Sequence, residues 1–137
     1  MSAKPDTSKL AVSRPMSPFM IGPYYRAQLT SMMSITHRLT GIALTGGTVF
    51  LAAWVLCAAS GPVTYGYWLW LAGGIGGKLL MLAWSWALLY HLCNGIRHLV
   101  WDTGRAFTMK SVYVGGYIVI GASLLLTVVL WLAAYLL

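Results

Sequence analysis

Leu79-Leu80-Met81-Leu82-Ala83-Trp84-Ser85-Trp86-Ala87-Leu88-Leu89-Tyr90-His91-Leu92-Cys93-Asn94-Gly95-Ile96 contains no charged side chain, and Arg97-His98-Leu99 follows directly. A hydrocarbon core of ~30 Å is crossed by about 20 helical residues, so a crossing from about Leu79 to Leu99 is long enough to span a membrane. His91 lies inside it. An imidazole there has lost its water and needs another strong partner, which makes it a candidate functional residue.

Two further apolar stretches extend the pattern, giving spans near residues 31–59, 67–100 and 112–137. With 59% hydrophobic and only 8% charged residues and a mean hydropathy of +0.75, the chain lacks the polar surface of a soluble domain. Backbone groups in lipid must be satisfied within their own segment unless a barrel closes, and no alternating barrel pattern is present. The expectation is an all-α integral membrane protein of three transmembrane helices. Residues 1–30 form a segment along the inner surface, and residues 31–137 form the membrane domain.

The net charge of +7 is distributed by topology rather than gathered into a stripe, which argues against nucleic acid as a partner. Lys4, Lys9, Arg14, Arg26 and Arg38 precede or open the first span, and Arg97, Arg105 and Lys110 flank the second connection. Residues 60–66 carry no charge. The positive-inside rule then puts the N-terminus inside and the C-terminus outside. The first 25 residues show neither the apolar core of a signal peptide nor an Arg-rich, acid-free transit helix, which favours a bacterial inner membrane over a mitochondrial one.

Within the second stretch, Lys78 is expected to snorkel to the outer surface, leaving Tyr65, Tyr67, Trp68 and Trp70 as an outer aromatic belt. Gly73 and Gly77 have the spacing of a close helix contact, and the glycine cluster reads equally as an outer turn. Cys57 and Cys93 cannot hold an iron–sulfur cluster between them, and no Cys-x-x-Cys-His is present for covalent haem attachment. Both read as small core residues. The third span, with Ser123 and Thr127 inside, reads as packing.

Two readings of His91 stand side by side: a haem-iron ligand, or a packing histidine bonded to a neighbouring helix. Two axial ligands of one iron must share a membrane depth on opposite faces of the macrocycle. His98 is seven residues from His91, roughly 10 Å away along a helix, so the two cannot share an iron. Counting along the first span puts His37 level with His98 rather than His91, so a second ligand is expected from another chain. Gly95, one turn from His91, leaves room for a flat ring.

Ser34 and Arg38 share a face of the first helix near the membrane edge. A hydroxyl beside a guanidinium would stabilise negative charge on a reduced quinone; equally, the arginine could bind lipid phosphate while Ser34 bonds its own backbone. Arg97 and Asp102 admit a surface ion pair. A transporter is disfavoured, since the spans show no continuous polar path.

Ser34-Ile35-Thr36-His37-Arg38-Leu39-Thr40-Gly41 and His91-Leu92-Cys93-Asn94-Gly95-Ile96-Arg97-His98-Leu99-Val100-Trp101-Asp102, with the lead-in Arg14-Pro15-Met16-Ser17-Pro18, resemble the cytochrome b membrane-anchor subunit of succinate dehydrogenase, respiratory complex II, in its mitochondrial and alphaproteobacterial branch. The likeness covers nearly the whole chain. It implies a heteromeric helix bundle in which His91 is an axial ligand of haem b and a second membrane-anchor subunit supplies the other. It also implies that Ser34 and Arg38 line the ubiquinone site, that His37, Arg38 and His98 lie near the haem propionates, and that Asp102 lies toward the iron–sulfur subunit. Flavin and iron–sulfur clusters then belong to the flavoprotein and iron–sulfur subunits, so this chain alone is not catalytic. The alternatives are a fumarate reductase anchor of the same family and a haem-free structural anchor. Phe19 departs from the branch, which has histidine there.

Overall fold

A computed structural model describes residues 25–136. The Arg14–Pro18 lead-in, Phe19 and Tyr24 lie outside them. The described chain is a succession of helices: α1 (Leu29–Ala59), α2 (Pro62–Gly73), α3 (Ile75–Asp102) and α4 (Met109–Leu136). Helices α1, α3 and α4 are each long and apolar enough to cross a membrane. At about 1.5 Å per residue, α1 is roughly 46 Å long, more than a ~30 Å hydrocarbon core requires.

Each boundary has a local cause. Ser60 turns its hydroxyl back onto the Leu56 carbonyl (2.7 Å), and Gly61 follows at φ 109°, a conformation that ends α1 and favours glycine. Pro62 then opens α2, where its missing N–H costs nothing. Gly104 (φ 77°) and Ala106 (φ 63°) turn the chain after α3, and Thr108 caps α4 by accepting from the Ser111 N–H (3.3 Å).

The apolar stretch expected as one segment over residues 67–100 is divided at Gly74, whose extended backbone separates α2 from α3. The elbow is close: a Cβ on Gly77 would overlap the backbone of Leu71 and Ala72. Glycine is therefore a steric requirement at position 77. Helix α2 folds back on α1, with Trp68 against Phe50 at 4.4 Å between ring centroids. Tyr67 and Trp70 are left exposed.

Helices α1 and α3 run antiparallel, as the contacts Met33 with Arg97, Thr40 with His91 and Phe50 with the α2–α3 elbow require. The compact core lies where α1 begins, α3 ends and α4 begins. Met33, Tyr90 and Val119 are its buried centre, one from each spanning helix, with Leu29, Trp86, Cys93 and Ile120 around them. Gly116 admits this approach, since a Cβ there would meet the Met33 sulfur at 2.9 Å. Cys93 joins the core as expected of a small apolar residue, whereas Cys57 is half-buried outside it. On α4, Ser123 and Thr127 spend their hydroxyls on the Ile120 and Ser123 carbonyls, and Trp131 donates to the Ser85 hydroxyl (3.0 Å). Leu39, Ile42, Val49, Leu92 and Ile96 point outward, as lipid or neighbouring helices demand.

The elbow yields a paired test. Gly77→Ala should destabilise the protein in detergent by ~1–3 kcal/mol through overpacking. Gly66→Ala, where a Cβ meets open space, should leave stability unchanged or raise it by about 0.5–1 kcal/mol. Thermal unfolding of the two variants in the same detergent measures the difference.

Candidate functional site

All three histidines of the chain converge where the polar ends of α1 and α3 meet. The His37 and His91 rings stack with centroids 3.9 Å apart and planes 14° from parallel. His98 lies 5.3 Å from His37 on the other side, tilted by 49°. This corrects the expectation that His37 stands level with His98 alone. Helix α1 begins at Leu29 and α3 continues to Asp102, so His37 is about 12 Å from its helix end, between His98 at about 6 Å and His91 at about 16 Å. Its ring bridges the two.

The stack covers one face of the His91 ring with the His37 ring.

His91 is held through one nitrogen. Its Nδ1 lies 3.2 Å from the His37 carbonyl oxygen and 3.1 Å from Thr40 Oγ1. A carbonyl only accepts, so Nδ1 carries the proton and Nε2 keeps its lone pair. Around the ring, Gly41 offers no side chain; a Cβ there would stand 3.3 Å from His91 Cε1. One turn further along α3, a Cβ on Gly95 would meet nothing within 4 Å, so that side is open.

Beneath the histidines lies a polar network that the sequence reading missed. Asn94 is 0% exposed; its Nδ2 donates to His98 Nε2 (3.5 Å) and its Oδ1 accepts from Arg97 Nη1 (3.4 Å). Arg97 is 9% exposed and turns into the bundle, where Nη2 donates to the Val112 carbonyl on α4 (3.0 Å) and the guanidinium lies 4.1 Å over the Trp101 ring. Among the described residues Arg97 therefore serves α4 and Asn94 rather than pairing with Asp102, which is exposed. The signal available in the sequence was spacing: Asn94, Arg97, His98 and Trp101 fall at three- and four-residue intervals, on one side of a helix.

Ser34 and Arg38 lie on the flank of α1 beside the face that carries Met33, His37 and Thr40, and both are exposed. They flank the histidine cluster in the helix without contributing to the packing of this chain. A separate groove of about 900 Å³ lies toward the other end of the bundle, lined by Gly47, Phe50, Trp84, Leu130 and Trp131, with Lys78 at its edge. It is almost wholly apolar and lies apart from the histidines.

The three long apolar helices accord with the comparison to known proteins. The family described as succinate dehydrogenase/fumarate reductase transmembrane subunit matches residues 12–130. The chain belongs to that family. It is 41% identical over 118 residues to the succinate dehydrogenase cytochrome b556 subunit of Rickettsia felis, covering 86% of this chain and 90% of the relative. It is 32% identical over 116 residues to the cytochrome b556 subunit of Paracoccus denitrificans, covering 85% and 88% respectively. To the cytochrome b560 subunit of Reclinomonas americana it is 35% identical over 127 residues, covering 88% and 86%. The similarity thus extends through both histidine-bearing helices and into α4.

The Arg97 network predicts its own sensitivity. Arg97→Leu leaves the Val112 carbonyl and the Asn94 amide oxygen without their donor, at a cost of ~1–3 kcal/mol for each buried group left unpaired. Lowered thermal stability of the detergent-solubilised protein measures it. Arg105→Leu, on the exposed connection, should change it by less than ~0.5 kcal/mol.

Proposed function

We propose that this chain is the haem-b-bearing membrane anchor of a succinate:quinone oxidoreductase in a bacterial inner membrane. The observation that carries the reading is the 3.2 Å approach of His91 Nδ1 to the His37 carbonyl oxygen, which assigns the ring proton to Nδ1. A histidine that donates one N–H to a backbone carbonyl presents its other nitrogen, lone pair outward, to a metal. The residues present fit a haem: one committed imidazole nitrogen, an open surface at Gly95, and a buried Nδ1 on His37 that has no partner within the described chain. Haem b bound here would supply a one-electron carrier near the quinone.

His91 would hold the iron through Nε2, and a second anchor subunit would supply the other ligand. His37 and His98 would face the carboxylate edge of the haem, as hydrogen-bond donors to propionates. Arg97 and Asn94 hold His98 from behind.

Ser34 and Arg38 form the quinone wall. They stand on a part of α1 that this chain leaves uncovered, so the remaining walls come from the iron–sulfur subunit and the second anchor. The guanidinium is a fixed positive charge and the hydroxyl a short donor, the combination that stabilises charge on a quinone oxygen as electrons arrive. Succinate oxidation belongs to the flavoprotein subunit.

The basic residues set the orientation. Among the described residues Arg26, Arg38, Arg105 and Lys110 lie at the histidine end, and Lys78 is the one basic residue near the elbow. The histidine end therefore faces the cytoplasm, where soluble subunits can dock, and the elbow faces outward.

Two measurements test these assignments. His91→Ala should abolish the reduced-minus-oxidised b-type signal of the assembled complex; an unaltered spectrum would refute ligation by His91. Arg38→Ala should slow quinone reduction ~10- to 100-fold while succinate oxidation with a soluble artificial acceptor is retained. Equal loss of both activities in an assembled complex would remove the quinone role.

A further inference from the structure

We propose that Thr40 is a positioning residue for His91: its hydroxyl shares the Nδ1 proton with the His37 carbonyl and thereby sets the basicity and orientation of the imidazole. The proposal rests on the reading of His91 as a haem ligand. It concerns a residue for which packing alone would require only a small β-branched side chain.

Three polar atoms form a closed triangle. Thr40 Oγ1 is 2.9 Å from the His37 carbonyl oxygen, His91 Nδ1 is 3.1 Å from Thr40 Oγ1, and Nδ1 is 3.2 Å from the same carbonyl. The carbonyl has no hydrogen, so the hydroxyl proton goes to it. The hydroxyl oxygen then has its lone pairs turned toward Nδ1 and accepts the imidazole N–H. The Nδ1 proton is thus divided between two acceptors, and both acceptors are held by one turn of α1. The opposite tautomer would set a bare Nδ1 lone pair against the carbonyl oxygen, which is repulsive.

Two neighbouring features keep the triangle intact. Thr40 is 5% exposed, so water does not compete for its hydroxyl, and its back-bond to the preceding turn fixes the side-chain rotamer. Gly41 is the adjacent requirement: the 3.3 Å left between a hypothetical Cβ and His91 Cε1 is tighter than ordinary contact. Glycine at 41 lets the ring come close enough to α1 for threonine at 40 to reach it. The pair Thr40-Gly41 therefore works as a seat for the imidazole, one residue bonding its nitrogen and the other making room for its carbon.

An N–H shared with acceptors pushes electron density onto the opposite nitrogen and strengthens it as a ligand to oxidised iron. Removing one acceptor weakens that push. In membranes containing the assembled complex, Thr40→Val keeps the shape and removes the hydroxyl. The expected result is an upward shift of the haem midpoint potential with a changed low-spin EPR signal, and haem retention reduced ~10-fold on washing with detergent. Thr40→Ser should restore both. Succinate oxidation with a soluble acceptor should be unchanged in both variants, which confirms assembly.

A wild-type potential and EPR signal in Thr40→Val would overturn the proposal, as would loss of haem in Thr40→Ser equal to that in Thr40→Val, because the requirement would then be for threonine's bulk. His91→Ala separates the two layers of the argument. Loss of haem in His91→Ala beside an unaltered Thr40→Val removes the role of Thr40 and leaves the ligand assignment standing. A b-type spectrum that survives His91→Ala removes both.

Discussion

In a membrane interior water cannot satisfy a polar group, so every buried donor and acceptor must find its partner in protein or cofactor. The arrangement of this chain depends on that constraint at one end of its bundle. His91 reaches across to a carbonyl of α1, Arg97 reaches across to a carbonyl of α4, and Asn94 joins Arg97 to His98. Two of these bonds end on backbone oxygens of a neighbouring helix, which ties the helices to one another in register. Apolar packing around Met33, Tyr90 and Val119 fills the same level but has no such directionality.

The two ends of the bundle differ accordingly. Where α1 begins, polar bonds and small residues such as Gly116 hold the helices close. Toward the elbow the contacts are aromatic and aliphatic, and α1, α3 and α4 border a large apolar groove. The polar side chains and the closest helix approach share one end of the bundle. Ser34 and Arg38 lie on the same level of α1 as the histidines, exposed on the flank of the helix.

A further regularity is that much of the site is unfinished within the chain. Among the described residues His37 Nδ1 is buried without a partner, the surface beside Gly95 is open, and Ser34 and Arg38 are exposed on a spanning helix. Membership of the succinate dehydrogenase/fumarate reductase transmembrane subunit family accords with this.

Residue type and spacing along the chain were enough to establish the membrane class, the three spans, the basic end and the candidacy of His91, because length and hydropathy are local properties and lipid permits few backbone solutions. The elbow at Gly74 was legible only as one of two options for the glycine cluster, since deciding it requires the contact of Gly77 with the backbone of Leu71 and Ala72. The level of His37, the inward turn of Arg97, the burial of Asn94 and the grip of Thr40 on His91 were decided by tertiary structure. Each depends on where one helix begins relative to another and how closely they approach. A shift of one residue in that offset moves a side chain by about 1.5 Å along the axis and about 100° around it, and no intrahelical pattern encodes it.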